Sequence, residues 1–215
     1  MNIGILGTGM VGKTIGTKIV QLGHTVKMGS RTANNEKAAE WVKANGANAS
    51  QGTFTEAATY GEMLFNCTSG MASLDALKLA GAESISGKVL IDISNPLDFS
   101  KGMPPTLSVC NSDSLGEQIQ RAYPQAKVVK TLNTMNCNIM VNPSLVPGST
   151  DVFISGNDAG AKAKVTDILR NWFGWKSVID IGDITTARGT EMLLPIWIRL
   201  MGTFQSPNFN FKIVR

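Results

Sequence analysis

Apolar and polar positions along this chain switch between two periods. Residues 1–6 form a short apolar run, as a buried strand does, and Val11, Ile15, Ile19 and Leu22 then fall on one stripe of a helix over residues 13–22. Gly23-His24 closes that helix and Thr25-Val26-Lys27-Met28 begins a second strand, completing a strand–helix–strand unit within about 30 residues. The alternation continues. Residues 32–45 read as a second helix with Ala38, Ala39, Trp41 and Val42 on its apolar side. Residues 47–52 give a weak third strand and 62–67 a fourth. A short helix over 72–79 ends at Gly81, and the almost wholly apolar 88–93 suits a parallel strand buried on both faces. Ser114-Leu115-Gly116-Glu117 has the form of a capping box and opens a helix to Tyr123. Residues 127–132 and 151–155 are the sixth and seventh strands. Asn157-Asp158 caps a helix over 159–173, and 176–181 is the eighth strand. Asp183 opens a last helix to about Gly202, kinked or delimited by Pro195, before an extended tail over 209–214.

The turn between the first strand and helix reads Gly7-Thr8-Gly9-Met10-Val11-Gly12. Gly7 allows the tight turn, Gly9 lets backbone approach a pyrophosphate, and Gly12 lets helix and strand pack closely. The helix N-terminus adds unpaired N–H groups and partial positive charge. After the second strand, where an NAD site carries an acid for the ribose hydroxyl, this chain has Ser30, Arg31 and Thr32. One guanidinium and two hydroxyls match a phosphate, so the expected cofactor is NADP(H). The implied fold is a doubly wound, mostly parallel, Rossmann-like α/β sheet over residues 1–182, with a small helical C-terminal addition over 183–215.

Ligands of such sheets bind beyond the carboxyl ends of the strands. Cys67-Thr68-Ser69-Gly70, Ser94-Asn95-Pro96-Leu97 and Asn133-Thr134-Met135-Asn136-Cys137 occupy three of those ends. Cys67, Thr68, Ser69, Asn95, Pro96 and Asn133 are therefore placed on the nicotinamide side, where a carboxamide pairs well with another carboxamide. Leu97, Met135, Asn136 and Met192 are placed around the hydride acceptor. No acid–base dyad with recognisable spacing is present. His24 lies in a turn facing away from the strand ends, and no base adjoins Cys67 or Cys137. Lys130 and Asp92 fall inside adjacent strands as a structural pair, with Lys130 as proton donor the minority reading. Glu191 faces a ligand or solvent.

Composition narrows the function classes. Of 215 residues, 43% are hydrophobic and 17% charged, which fits a core-forming protein and excludes disorder. The net charge of +4 comes without a like-charged run, so an anionic cofactor explains it and nucleic acid is not expected. Three scattered cysteines indicate neither a disulfide framework nor a zinc site. The most apolar stretch, residues 192–201, carries Arg199 and is too short to span a bilayer. With a strand from residue 2 leaving no room for a leader, a reducing, cytoplasmic location without membrane contact is expected.

These residues resemble the NADP-dependent 8-hydroxy-5-deazaflavin oxidoreductases. The resemblance runs nearly the whole length, on the glycine turn, Leu22-Gly23-His24, Gly29-Ser30-Arg31, Val128-Val129-Lys130 with Asn133-Thr134, and Glu191 with Pro195. It implies a Rossmann-like domain with a small C-terminal addition, a homodimer, and hydride passed between NADP(H) and a stacked planar deazaflavin. Residues matching Thr8–Val11 then hold the pyrophosphate, and those matching Ser30 and Arg31 the 2′-phosphate. The chain departs from that family at Asn133-Thr134-Met135-Asn136-Cys137 and at Thr68-Ser69-Gly70, which border the acceptor. The acceptor is thus a deazaflavin, a flavin or another small oxidant. Two other readings stay open: an NADPH-binding regulator without catalysis, and a small imine or ketone reductase using Lys130.

Overall fold

A computed structural model describes residues 1–215. In chain order the strands are β1 (Asn2–Leu6), β2 (Thr25–Ser30), β3 (Ala49–Thr53), β4 (Met63–Asn66), β5 (Val89–Asp92), β6 (Leu97–Asp98), β7 (Thr106–Leu107), β8 (Lys127–Thr131), β9 (Asp151–Gly156) and β10 (Ser177–Asp180). The helices are α1 (Met10–Gln21), α2 (Glu36–Asn45), α3 (Phe54–Tyr60), α4 (Ser73–Ala80), α5 (Ala82–Ile85), α6 (Leu115–Ala122), α7 (Cys137–Val141), α8 (Ala159–Asn171), α9 (Ala187–Met192) and α10 (Leu194–Phe204). None is long and apolar enough to cross a membrane.

Eight strands form one sheet in the order β10-β9-β8-β5-β4-β1-β2-β3, and β6 with β7 forms a separate hairpin. Every pairing in the large sheet is parallel except β8–β9, so β9 and β10 run opposite to the rest. Strand order reverses between β1 and β4, leaving a crevice beyond Leu6 and Asn66.

Side-chain alternation along the strands builds two apolar layers. Ile3, Ile5, Phe65, Ile91 and Val129 point to one face and pack with Ile15, Ile19, Trp41, Val165 and Trp175. Leu6, Leu64, Leu90 and Val128 point to the other and pack with Ala57, Leu77, Ile119 and Ala187. Both faces of the sheet are therefore core, which is why these strands read as unbroken apolar runs.

Several elements depart from the sequence expectation. The second helix begins at Glu36, four residues late, because Asn35 caps it by accepting from the Ala38 N–H. Helices α3 and α7 were not expected. The first carries a complete capping box between Thr53 and Glu56, and a Cβ on Gly4 would lie 2.4 Å from the Ala57 carbonyl it packs on. The last helix is three pieces, with Asp183 capping a single 3₁₀ turn (Ile184–Thr186) and Pro195 opening α10.

Candidate dinucleotide site

The glycine turn fills the crevice between β1 and β4. Gly7 has φ of 116°, and a Cβ there would sit 2.7 Å from the Cys67 carbonyl. A Cβ on Gly12 would lie 2.3 Å from the Gly7 carbonyl, so α1 starts in contact with the turn. Both positions need glycine for reasons internal to the protein. Gly9 does not. Its backbone is extended, and a Cβ there would meet nothing within 4 Å. The space above Gly9 is therefore open and free of protein atoms. Gly9 also caps α1 without a side-chain hydrogen bond, and no acidic residue lies in the first turn. The positive helix end stays uncompensated. Thr8 and Val11 are half-buried beside it, and Met10 is 78% exposed.

At the end of β2, Ser30 is buried and its hydroxyl closes the local turn. It donates to the Thr32 carbonyl at 2.5 Å and accepts from the Thr32 N–H at 3.3 Å. Arg31 and Thr32 are exposed, and Arg31 forms no ion pair within the protein. Of the expected phosphate ligands, Ser30 thus shapes the loop while Arg31 and Thr32 reach solvent.

Beyond β4 and β5 a cleft of about 160 Å³ joins Val11, Cys67, Thr68, Ser69, Asn95 and Leu97. Gly70 and Ser94, from the same two strand-end segments, also line it, and so do Ile93 and Phe99, which the sequence did not single out. The structure adds why position 70 is glycine: a Cβ there would fall 1.9 Å from the Asn95 carbonyl. Asn95 and Asn133 hold each other across the strand ends. The Asn95 amide donates to the Asn133 carbonyl at 2.8 Å, and the Asn133 amide donates to Asn95 Oδ1 at 3.0 Å. Pro96 is buried beneath them.

A buried polar network supports this floor. Asn66, Asp92 and Lys130 stand in register across β4, β5 and β8. The Asn66 amide donates to Ser73 Oγ at 2.6 Å and Asp92 Oδ1 at 2.8 Å, and its Oδ1 accepts from Thr68 Oγ1 at 2.7 Å. Lys130 Nζ reaches Asp92 at 2.8 Å, Glu191 at 2.8 Å and the Ser94 carbonyl at 2.5 Å. Burial pulls the Lys130 pKa down, but the Asp92 and Glu191 carboxylates outweigh it and hold the pKa above its ordinary value. Glu191 also accepts from the N–H groups of Leu115 and Gly116 at 2.8 and 3.0 Å, capping α6.

These contacts revise several sequence expectations. Lys130 is 1% exposed and saturated with acceptors, so it cannot reach a substrate as a proton donor. Glu191 faces neither ligand nor solvent. Met135 is part of the core, while Asn136 caps α7 by accepting from the Asn138 N–H at 2.8 Å. The Met192 side chain is exposed on α9. Cys67 is buried, and burial with the Asp92 charge pushes its thiol pKa up, which leaves it unreactive. His24 stacks on Trp172 at 4.3 Å, away from the cleft.

A glycine turn at the strand-order switch, flanked by an exposed arginine at the end of β2 on one side and an uncharged cleft beyond β4 and β5 on the other, is the arrangement of a dinucleotide-dependent oxidoreductase. Residues 2–96 match the family described as NADP oxidoreductase, coenzyme F420-dependent. A solved structure from Arthrobacter sp. FB24, proposed to be an F420-dependent NADP-reductase, is 51% identical and covers 100% of both chains with a TM-score of 0.95. The chain belongs to this family of F420-dependent NADP oxidoreductases. It is also 29% identical over 203 residues to the metalloreductase STEAP3 of Rattus norvegicus, spanning 91% of this chain but only 37% of that protein. The Streptomyces aurantiacus imine reductase shares the fold, with a TM-score of 0.68 at 16% identity over 95% of this chain and 64% of that one.

Proposed function

We propose that this protein transfers hydride between NADP(H) and a planar small-molecule acceptor, a deazaflavin or a flavin. The observation that carries the cofactor half is Arg31, a guanidinium without a protein partner at the end of β2, on the far side of β1 from the cleft. Backbone of Gly7, Thr8, Gly9, Met10 and Val11 would cradle the pyrophosphate. Arg31 and Thr32, on the turn that Ser30 shapes, would hold the 2′-phosphate. Cys67, Thr68, Ser69, Asn95, Pro96 and Asn133 would frame the nicotinamide, and Leu97 would border the acceptor. When bound, NADPH supplies the hydride, two electrons with one proton. The cleft then needs to orient a ring and exclude water. It holds no carboxylate, histidine or lysine, which suits an acceptor able to take its remaining proton from solvent. The proposal extends to a cytoplasmic homodimer.

Arg31→Ala tests the cofactor assignment. Loss of a charged hydrogen bond should weaken NADPH roughly tenfold or more while leaving NADH unchanged, as read by titration calorimetry. Equal loss for both nucleotides refutes it. Loss of reduced-nicotinamide absorbance with 8-hydroxy-5-deazaflavin or FMN tests the acceptor half. Tight NADPH binding without turnover of either would identify a nucleotide sensor instead.

A further inference from the structure

We infer that Phe99, which directly follows β6 in the loop of the β6–β7 hairpin, is the residue against which the planar acceptor stacks. The inference rests on the planar-acceptor reading above. The cleft volume of about 160 Å³ is close to that of an apolar cavity that holds a single benzene ring. One six-membered ring, the nicotinamide, fills it. A fused two- or three-ring acceptor must therefore lie across the mouth and find its contacts on the rim.

Beside the exposed hydroxyl of Ser69, the rim carries two large exposed apolar side chains. Phe99 lines the cleft yet leaves 55% of its surface in water. Met71, which follows the lining residue Gly70, is 59% exposed, and the turn that carries it (Gly70–Ala72) packs against β6. Phe99 and Met71 thus offer apolar surface to whatever lies across the cleft mouth. An aromatic ring supplies a flat face for another flat ring, and a methionine adapts to its outline.

The hairpin places Phe99 reproducibly. Leu97 pairs with Leu107 and Asp98 with Thr106, and the Ser108 N–H donates to the Pro96 carbonyl at 2.8 Å. Asp98 accepts from the Ser100 N–H at 2.8 Å, and the Phe99 carbonyl accepts from the Gly102 N–H at 2.9 Å. Phe99 is thus bracketed by two local turns directly after a strand that starts at the cleft. Arg31, at the end of β2, lies on the far side of β1 from it.

The test compares wild type, Phe99→Ala and Phe99→Trp, with NADPH and 8-hydroxy-5-deazaflavin as probes. Phe99→Ala should raise the KM for the deazaflavin, and its Kd for the enzyme–NADP⁺ complex, roughly tenfold, as loss of a stacked ring implies. The NADPH Kd should move by no more than about twofold, because Phe99 meets the nicotinamide only at the cleft mouth while the phosphate ligands lie elsewhere. The melting temperature should stay at its wild-type value, and Phe99→Trp should restore acceptor affinity. Acceptor KM and Kd within about twofold of wild type in Phe99→Ala would overturn the inference alone. A wild-type enzyme that binds NADPH but neither binds nor reduces the deazaflavin would overturn the planar-acceptor reading, and this inference with it.

Discussion

Lys130 shows how little a residue's type says about its role until its neighbours are known. As a lysine beside a predicted nicotinamide site it was a candidate proton donor. The fold instead closes it between two carboxylates and a carbonyl, with both its own side chain and Asp92 at 0% exposure. Its work is positional, because the Ser94 carbonyl it holds immediately precedes Asn95. Lys130→Met removes the cation and leaves two buried carboxylates facing each other. Breaking a buried pair in this way should cost about 3–5 kcal/mol, read as a lower urea midpoint. A variant of unchanged stability that binds NADPH and fails to turn over would restore the proton-donor role. Gly9 is the converse case. Its significance was legible from spacing, and the structure adds that no protein atom asks for glycine there.

Helix α6 illustrates what a local motif leaves unspecified. Ser114 caps it as expected, accepting from the Glu117 N–H at 3.1 Å. The Glu117 carboxylate does not return to the Ser114 N–H. It accepts from Ser114 Oγ at 2.8 Å and from Arg188 at 2.8 and 2.6 Å, so a long-range ion pair replaces half of the capping box. Asp113, just outside the helix, takes a two-pronged bond from Arg121 at 3.0 and 2.8 Å. Chiefly because of that bond its pKa is held at about 2. An unfolded Asp titrates near ~3.9, so the stabilisation is complete above roughly pH 4 and is lost as pH falls toward 2. Asp113→Asn should therefore flatten the stability–pH curve across that interval in urea titrations. A mutant curve parallel to wild type would mean that the pair is screened out by solvent.

At the scale of the whole molecule, the reversed strands β9 and β10 are held partly by the chain's end. Asp151, 1% exposed at the start of β9, accepts from the Ile213 N–H at 2.6 Å and Lys212 Nζ at 3.1 Å. Its N–H donates to the Phe211 carbonyl and its carbonyl accepts from Asn210. Deleting residues 206–215 would strip the Asp151 carboxylate of its Ile213 and Lys212 donors and leave it the Ser177 hydroxyl. The expected loss is about 3–5 kcal/mol, seen as a lower thermal midpoint; Asp151→Asn in the shortened chain should recover part of it. No sequence pattern announced this, because Asp151 and Ile213 are 62 positions apart and the tail forms no strand of its own.

The sequence by itself determined the parallel core of the sheet, the glycine turn at the end of β1 and the place of Arg31 at the end of β2. Those properties are local: a strand buried on both faces must be apolar throughout, and a glycine turn acts through its own backbone. Tertiary structure alone decided which polar residues face the cleft and which are consumed beneath it. Met135 and Asn136 follow Asn133 in the same segment after β8, yet they supply core and cap while Asn133 pairs with Asn95 across the strand ends. That division depends on where α7 and the β6–β7 hairpin pack, and packing is set by contacts between segments far apart in the chain. For the same reason Phe99, an isolated aromatic in a polar loop, became a candidate only once the mouth of the cleft was in view.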